Sequence, residues 1–367
     1  KFFFNYHFSL AQQTVMVQVS RRSSRTFRSV FGPWGPLFLI VGILLVSLSL
    51  LSVKSPPPQK DESVLRGGGG GSTTVSAMSA SRILRSGKPY LVYGTAWKKE
   101  ETARLVSEAI ESGFRFIDTA CQPKHYEEAL VGEGWSAAAK KLGLERSDLY
   151  IQTKFTAPGG QDPARLPYDE KAPLEDQVRQ SLVKSLSNLK TDYLDALVMH
   201  SPMRKMSDTE KVWKLFESFV DEGKVLKLGI SNCYDVDKFK TLYESARIKP
   251  SILQNRFYSD SNFDDSLRRF CKENNIVYQS FWTLTASRRA LASPEIKQLA
   301  SKKNLTPQTL MYAFMMSLSH TPLDGTTSKI HMMEDVAIME RIMGGEEILS
   351  EDEITLMGRI LGMPDYQ

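Results

Sequence analysis

From Arg82 onward, short apolar runs alternate with longer stretches in which apolar residues recur every three or four positions. The short runs have the length and composition of buried strands, and the longer stretches have the periodicity of amphipathic helices. One such helix is predicted after Pro173, with Val178 and Leu182 on its apolar face. The predicted strands are 90–95, 114–118, 149–154, 193–200, 227–231, 252–254, 276–280 and 323–327.

Eight strands that are each followed by a helix predict an α/β protein, a parallel (β/α)8 or TIM barrel. A doubly wound sheet is the structural alternative, and its dinucleotide-binding form carries a G-x-G-x-x-G turn after the first strand. Here the first turn reads Gly94-Thr95-Ala96-Trp97, which disfavours that alternative. We therefore expect the chemistry to lie at the carboxyl ends of the barrel strands.

The first 80 residues depart from this alternation. Residues 1–29 contain basic but no acidic side chains, residues 30–53 are uncharged, and residues 54–80 form a Pro/Gly/Ser-rich linker. A membrane helix needs about 20 apolar residues, so 30–53 is long enough to span a bilayer. The arginines before it predict a single-pass membrane protein with a cytoplasmic N-terminus and the barrel, 81–367, on the other side. A removed targeting segment, which would leave an organelle-targeted or soluble protein, is the alternative.

Charge and cysteine content exclude two classes of function. Five of the 47 Lys and Arg residues lie within 1–29, which leaves 42 against 42 Asp and Glu. This balance gives a nucleic-acid-binding surface on the main domain no electrostatic support. The cysteines Cys121, Cys233 and Cys271 are far apart and lack C-x-x-C spacing, so neither a disulfide framework nor a zinc site is predicted.

Polar residues stand at the ends of several predicted strands. Asp118 ends the second, Lys154 the third and His200 the fourth, and Tyr126 lies in the loop after Asp118. Each residue also has an ordinary structural explanation. An Asp after a strand is typically a helix cap, a Lys is typically a solvated loop residue, and a His is typically a core residue whose ring is hydrogen-bonded within the protein. Because parallel barrel strands end at one face, we expect the four side chains to lie close together.

These residue types predict acid–base chemistry. A tyrosine, with an ordinary pKa of about 10, donates a proton readily at neutral pH only when a cation stabilises its phenolate. Lys154 supplies that cation, and Asp118 keeps Lys154 charged as its ion-pair partner. His200 orients the substrate oxygen or shares in the proton relay. A tyrosine acid without a metal cluster or a Ser or Cys nucleophile suits protonation of a carbonyl oxygen as hydride arrives from a cofactor.

The chain resembles the aldo-keto reductase family over about residues 83–362, in the segments GTAW, GFRFIDTA, DLYIQTK, YLDALVMHSP, GKVLKLGISN and ILQN. The resemblance implies that Asp118, Tyr126, Lys154 and His200 form the catalytic tetrad, with Tyr126 as the proton donor. It implies reduction of aldehydes or ketones to alcohols with NADP(H), or alternatively NAD(H). The expected form is a monomeric barrel that touches a membrane only through its N-terminal segment.

The resemblance also implies where the cofactor is held. Ser231, Asn232 and Gln254 match the positions that bind the nicotinamide carboxamide. Phe281 is expected to stack on the nicotinamide, because stacking needs an aromatic ring face. The other cofactor contacts are predicted at Thr95, Asp118, Ser280, Leu284, Gly325, Thr326, Thr327 and Ser328.

Two features depart from the family's pattern. The loop between Asp118 and Tyr126 is longer than in the commonest members, which leaves His125 as a competing titrating group. Where many members carry a Lys-Ser and a later Arg that bind the adenosine 2′-phosphate, this chain has GTTSK at 325–329 and then His331. The site lacks the arginine, whose guanidinium can bind a phosphate through two hydrogen bonds. It is therefore predicted to prefer NADPH over NADH less strongly than those members do, with Lys329 or His331 as the substitute cation.

Two other functions stay open on the sequence. A fold alone does not determine function. With its hydrophobic leader, the chain is also compatible with a non-catalytic, nicotinamide-binding, redox-sensing subunit of a membrane protein. A strand-end lysine in a barrel also serves Schiff-base chemistry, so Lys154 is compatible with a lyase or an isomerase. The four-residue constellation favours the reductase over both.

Overall fold

The computed structural model describes residues 78–366 of the chain. The predicted leader 1–29, the hydrophobic segment 30–53 and nearly all of the linker 54–80 lie outside the described residues. None of the helices within 78–366 combines the length and the apolarity that a membrane span requires.

Within these residues, eight parallel strands pair in chain order and close into a barrel, with β1 bonded to both β2 and β8. The predicted (β/α)8 barrel is thereby confirmed. The last strand ends earlier than expected, because Gly325 and the polar residues after it form the turn into the next helix. The strands are β1 Val92–Gly94, β2 Phe116–Asp118, β3 Tyr150–Phe155, β4 Leu194–Met199, β5 Val225–Ser231, β6 Ile252–Arg256, β7 Val277–Phe281 and β8 Thr321–Asp324.

Helices surround the barrel and bury their apolar faces against it. In the helix that follows Pro173, Val178 and Leu182 are buried as predicted, because apolar residues four positions apart share one helix face. The helices are α1 Ala80–Arg85, α2 Thr102–Glu111, α3 Glu128–Leu142, α4 Leu174–Asn188, α5 Met206–Asp221, α6 Val236–Ser245, α7 Asp265–Glu273, α8 Thr283–Ala286, α9 Arg288–Leu291, α10 Pro294–Lys302, α11 Pro307–Ser317, α12 Lys329–Met343 and α13 Glu351–Leu361.

Helices α2 and α3 pack closely through glycine. A Cβ atom added at Gly134 would overlap the backbone carbonyl of Ala103 on α2, and one added at Gly132 would overlap that of Asn188 on α4. Helix α3 begins two residues after Tyr126, so this packing fixes the base of the loop that carries the tyrosine.

The three cysteines are buried free thiols. Burial raises the pKa of Cys233 to about 12, and it raises the pKa values of Cys121 and Cys271 as well. Their side chains therefore serve as small apolar packing groups.

Candidate active site

Asp118 and Lys154 form a buried ion pair inside the carboxyl end of the barrel. The Lys154 ammonium lies 2.7 and 2.6 Å from the two Asp118 carboxylate oxygens and donates to the Thr119 carbonyl at 2.8 Å. Each residue is 1% exposed. Burial lowers the pKa of Lys154, and the adjacent Asp118 carboxylate opposes that shift. The aspartate thus holds a cation in a site from which water is excluded.

Tyr126 lies next to this cation. The Lys154 ammonium is 5.1 Å from the centre of the Tyr126 ring. A turn in which the Tyr126 amide donates to the Gln122 carbonyl at 3.0 Å sets the register of the longer loop. Burial, followed by the Asp118 charge, raises the pKa of the phenol above its ordinary value. No group within 78–366 hydrogen-bonds to the hydroxyl, so it is available to a ligand.

His125, the competing group in the same loop, is turned toward another partner. Its ring stacks on Trp97 with centroids 3.8 Å apart, and its carbonyl accepts a hydrogen bond from the Trp97 amide at 2.8 Å. Burial and the neighbouring Lys124 lower its pKa. Tyr126 lines the cavity described below, and His125 does not.

His200 completes the group at the end of β4. Its ring meets the Tyr126 ring edge-on at 6.1 Å, and its Nδ1 lies 2.6 Å from the Thr156 hydroxyl. Burial, followed by the Lys154 charge, lowers the pKa of His200 to about 3. The imidazole is therefore neutral throughout the physiological range.

These side chains open into a cavity of about 660 Å³ at the carboxyl ends of the strands. The volume lies within the usual range for sites that hold small molecules and cofactors. The predicted residues that line it are Asp118, Tyr126, His200, Ser231, Asn232, Gln254, Phe281, Leu284, Gly325, Thr326 and Thr327.

Two amides of the predicted carboxamide site are already engaged by the protein. Asn232 has a left-handed backbone (φ 52°), and its Nδ2 donates to the His200 carbonyl at 2.8 Å. Both side-chain hydrogen bonds of Gln254 are donated by Nε2, one to Asp118 at 2.9 Å and one to Gln279 at 2.9 Å. Gln254 Oε1 is consequently the atom left to accept from a ligand amide.

Four predicted site residues do not line the cavity. Lys154 stands behind Asp118, as its role as a buried cation requires. The Thr95 hydroxyl donates to the Asp118 carbonyl at 2.9 Å, and the Ser280 hydroxyl accepts from Thr283 at 2.9 Å, so both are occupied within the protein. Ser328 caps the N-terminus of α12.

Part of the cavity wall comes from residues that the strand-end pattern did not predict. They lie in the β1 loop, at the end of β8, in the segment after β7, and on or beside α11 and α12. These residues are Ala96, Trp97, Lys98, Trp282, Thr283, Thr285, Thr306, Gln308, Thr309, Tyr312, Leu323, Asp324, Glu334 and Asp335.

Three of them, Asp324, Glu334 and Asp335, form what we call the acidic wall, at the β8–α12 end of the cavity. Asp324 accepts from the Thr326 amide at 2.8 Å, and Asp335 accepts from the Thr309 hydroxyl at 2.8 Å. Burial, followed by the Asp324 charge, raises the pKa of Asp335 to about 8. This buried pair of carboxyl groups therefore retains a proton at neutral pH.

Lys98 lies close enough to Asp324 of the acidic wall for its charge to act on that carboxyl group. Its ammonium donates to the carbonyls of Gly325 and Thr326, the latter at 3.4 Å, and it lines the cavity. His331 lines it as well, whereas Lys329 is directed toward Glu111, at 3.9 Å. Of the two predicted substitute cations, only His331 faces the cavity. Within 78–366, no group of three or more His, Cys, Asp or Glu is arranged to hold a metal ion.

Known proteins share this barrel. A glyoxal reductase from Bacillus subtilis (strain 168) is 25% identical over 266 residues, 72% of this chain and 87% of that protein. A methylglyoxal reductase from Yersinia pestis is 29% identical over 272 residues, 67% of this chain and 90% of that protein. A solved Bombyx mori aldo-keto reductase in complex with NADP has a TM-score of 0.61 at 20% identity, over 74% of this chain and 89% of that one, a likeness of fold.

The sequence model of the Aldo/keto reductase family matches residues 90–353. This match begins just before β1 and ends in α13, so it takes in every strand of the barrel and the cavity at their ends. Because one family accounts for the whole barrel, the chain belongs to the aldo/keto reductases.

Proposed function

We propose that this protein is an NAD(P)H-dependent oxidoreductase that reduces aldehydes or ketones to alcohols. The observation that carries the proposal is the meeting of Tyr126, His200 and the Asp118–Lys154 ion pair at one cavity. An acid, a cation that stabilises its conjugate base and a neutral hydrogen-bonding ring are what protonation of a carbonyl oxygen needs.

The residues present fit a nicotinamide dinucleotide. The cavity extends from Tyr126 to the β8–α12 end and offers amide groups at Asn232 and Gln254, the Phe281 ring and the Lys98 ammonium. Asn232 and Gln254 would hold the carboxamide, Phe281 would pack on the ring, and Lys98 would face the phosphates. When bound, the reduced nicotinamide supplies hydride to the carbonyl carbon.

Tyr126 is the proposed proton donor. Its raised pKa keeps the phenol protonated at neutral pH, and its hydroxyl makes no hydrogen bond within the described residues. As the proton moves to the carbonyl oxygen, the Lys154 ammonium beside the ring stabilises the phenolate. Asp118 holds Lys154 charged and fixed in place for that step.

His200 is proposed to orient the substrate. With a pKa near 3, the imidazole stays neutral, and Thr156 fixes the ring through Nδ1. The other ring nitrogen, Nε2, is then free to hydrogen-bond to the carbonyl oxygen. A neutral ring orients that oxygen without adding charge to the site.

A Schiff-base reaction at Lys154 is disfavoured by the contacts of its ammonium. All three N–H directions are engaged, two by Asp118 and one by the Thr119 carbonyl, and the side chain is 1% exposed. A nucleophilic amine must be neutral and must reach its substrate, and this lysine is paired and lies behind the cavity wall.

We propose NADP(H) as the preferred cofactor, with NAD(H) also accepted. A Bombyx mori aldo-keto reductase of the same fold was solved in complex with NADP, which supports the first choice. The Lys98 ammonium and the His331 ring line this cavity, and the acidic wall lies beside them. Because the opposing charges offset one another, the discrimination between the two cofactors is expected to be small.

The test is a fluorescence titration of the purified chain with NADPH and NADH, followed by turnover of an aldehyde and ketone panel at the cofactor absorbance band. Glyoxal and methylglyoxal belong in the panel, because relatives of this chain reduce them by name. Binding with turnover of any carbonyl supports the reductase. Binding without turnover would favour the redox-sensing subunit, and absence of binding would refute both.

A further inference from the structure

Three glutamines meet inside the barrel directly beneath the active site. Gln152 lies on β3, Gln254 on β6 and Gln279 on β7, and they are 0%, 2% and 0% exposed. Strand alternation turns Gln152 to the same side of β3 as Lys154, two residues later. These amides therefore share the barrel interior with the Asp118–Lys154 pair.

The three amides are bonded to one another and to Asp118. Gln152 and Gln279 exchange reciprocal hydrogen bonds of 2.8 and 3.0 Å between their amide groups. Gln254 donates to the same Gln279 oxygen at 2.9 Å. Asp118 Oδ1 accepts from Gln152 at 2.7 Å, from Gln254 at 2.9 Å and from Lys154 at 2.7 Å. We call these three residues the glutamine network.

Both glutamines that contact Asp118 donate to its Oδ1 through their amide nitrogens. Gln152 Nε2 and Gln254 Nε2 each donate twice, once to Asp118 and once to Gln279. Since buried polar groups require partners, these contacts fix the position of the Asp118 carboxyl group.

We propose that Gln152 and Gln279 are positioning residues for carbonyl reduction, acting on Tyr126 through Asp118 and Lys154. By donating to Asp118 Oδ1, Gln152 and Gln254 hold the carboxyl group in one orientation against Lys154. The Lys154 ammonium is thus held in place and its field remains available to the phenol. This inference rests on the proposed reductase function.

The substitution Gln279→Glu gives a pH-dependent test. The introduced carboxyl, when protonated, can accept from Gln152 and Gln254 through one oxygen and donate to Gln152 through the other, which reproduces the native pattern. When it ionises, the donor is lost and a second negative charge lies near Asp118. Burial and that neighbour raise the pKa of such a carboxyl, so ionisation falls within the range of an activity assay.

We expect kcat of the full-length Gln279→Glu chain to be within about threefold of the native value at pH 5.5 and lower by a factor on the order of ten to a hundred at pH 8.5. Cofactor Kd, measured by fluorescence at both pH values, is expected to change about twofold or less. A loss of folding would change Kd together with kcat, whereas a positioning role changes kcat alone.

Two variants serve as controls. Gln279→Leu removes the acceptor and the donor at every pH, so its kcat should be low throughout without recovery at pH 5.5. Gln180→Glu makes the same chemical change on the exposed face of α4, where Gln180 accepts from the Asp169 amide at 2.8 Å, and should follow the native profile.

The outcomes separate the two hypotheses. Suppose that the native chain reduces carbonyls and that the ratio of its kcat to that of Gln279→Glu is the same at all pH values. This result would overturn the role of the glutamine network and leave the proposed function standing. A folded native chain that reduces no carbonyl with either cofactor would overturn the proposed function, and this inference with it.

Discussion

At the scale of single residues, the neighbours of Tyr126 have two different effects on its phenol. Some of them keep the phenol protonated before the proposed reaction, and another stabilises the phenolate that the reaction leaves. Burial and Asp118 raise the pKa of Tyr126, so the phenol is protonated when substrate arrives. The Lys154 ammonium, 5.1 Å from the ring centre, stabilises the anion that remains afterwards. In the proposed reaction, the tyrosine keeps its proton in the resting protein and releases it as an acid in the transition state.

Replacing Tyr126 by Phe removes one oxygen and leaves the ring packing unchanged. We expect kcat for carbonyl reduction to fall by about 10²- to 10⁴-fold, the usual contribution of a general acid, with cofactor affinity nearly unchanged. Stopped-flow turnover and fluorescence titration measure the two quantities. The matched control is His125→Gln in the same loop, because that ring stacks on Trp97 and does not line the cavity. Full activity of Tyr126→Phe, with loss of activity in the His125 variant, would reverse the assignment.

At the scale of elements, β8 and α12 supply the acidic wall, and the strand-end pattern could not reveal it. The strand predictions placed β3 and β4 to within one residue at each end. Polar residues at the ends of the predicted strands indicated Asp118 on β2, Lys154 on β3 and His200 after β4. Glu334 and Thr309, by contrast, reach the cavity from helices whose rotation about the barrel depends on packing that no local pattern records.

The acidic wall predicts an effect on cofactor choice. The family resemblance places the adenosine end of the cofactor near residues 325–331, beside Glu334. Replacing Glu334 by Gln removes one negative charge, so we expect NADPH affinity to rise about fivefold, or about 1 kcal/mol of screened repulsion. NADH affinity should change about twofold or less. Isothermal titration with both cofactors decides the matter, with Glu347→Gln, outside the cavity, as the control; equal gains for both cofactors would contradict the prediction.

Packing of α3 at the base of the Tyr126 loop predicts a loss of stability. A methyl group at Gly132 has no room, because it would overlap the Asn188 carbonyl, and a backbone atom cannot move aside cheaply. We expect Gly132→Ala to lower the free energy of unfolding by about 1–3 kcal/mol, measured by urea denaturation. Gly159→Ala is the control, since a Cβ there meets nothing within 4 Å. Equal free energies of unfolding for the two variants would contradict the prediction, because they would show that α3 can move to make room for the methyl group.

At the scale of the whole molecule, the barrel buries two histidines that stay neutral in the folded state and become protonated in the unfolded chain at acidic pH. Burial lowers the pKa values of His200 and His320 to about 3, against about 6.5 in an unfolded chain. Because the folded-state values are depressed, the unfolded chain binds more protons below about pH 6.5. Stability is therefore expected to fall as the pH falls from there toward 3.

His320 lies outside the active site, packed on Tyr278 at 5.0 Å, so it tests this dependence without affecting catalysis. Between pH 6 and 4, we expect the native chain to lose about 1.4 kcal/mol more per pH unit than the His320→Gln variant. Urea unfolding at several pH values measures the slopes, and the exposed His331→Gln serves as the control. Parallel slopes for native and His320→Gln chains would refute the prediction.

The burial of the cysteines has a consequence for the proposed reduction of aldehydes and ketones. Aldehydes and dicarbonyls attack proteins chiefly at accessible nucleophiles, and for cysteine the reactive form is the thiolate. Cys121, Cys233 and Cys271 are enclosed, and their raised pKa values keep them protonated. The proposed reductase would therefore present no reactive thiol to a carbonyl substrate, and we expect it to resist carbonyl modification at concentrations that inactivate proteins with exposed cysteines.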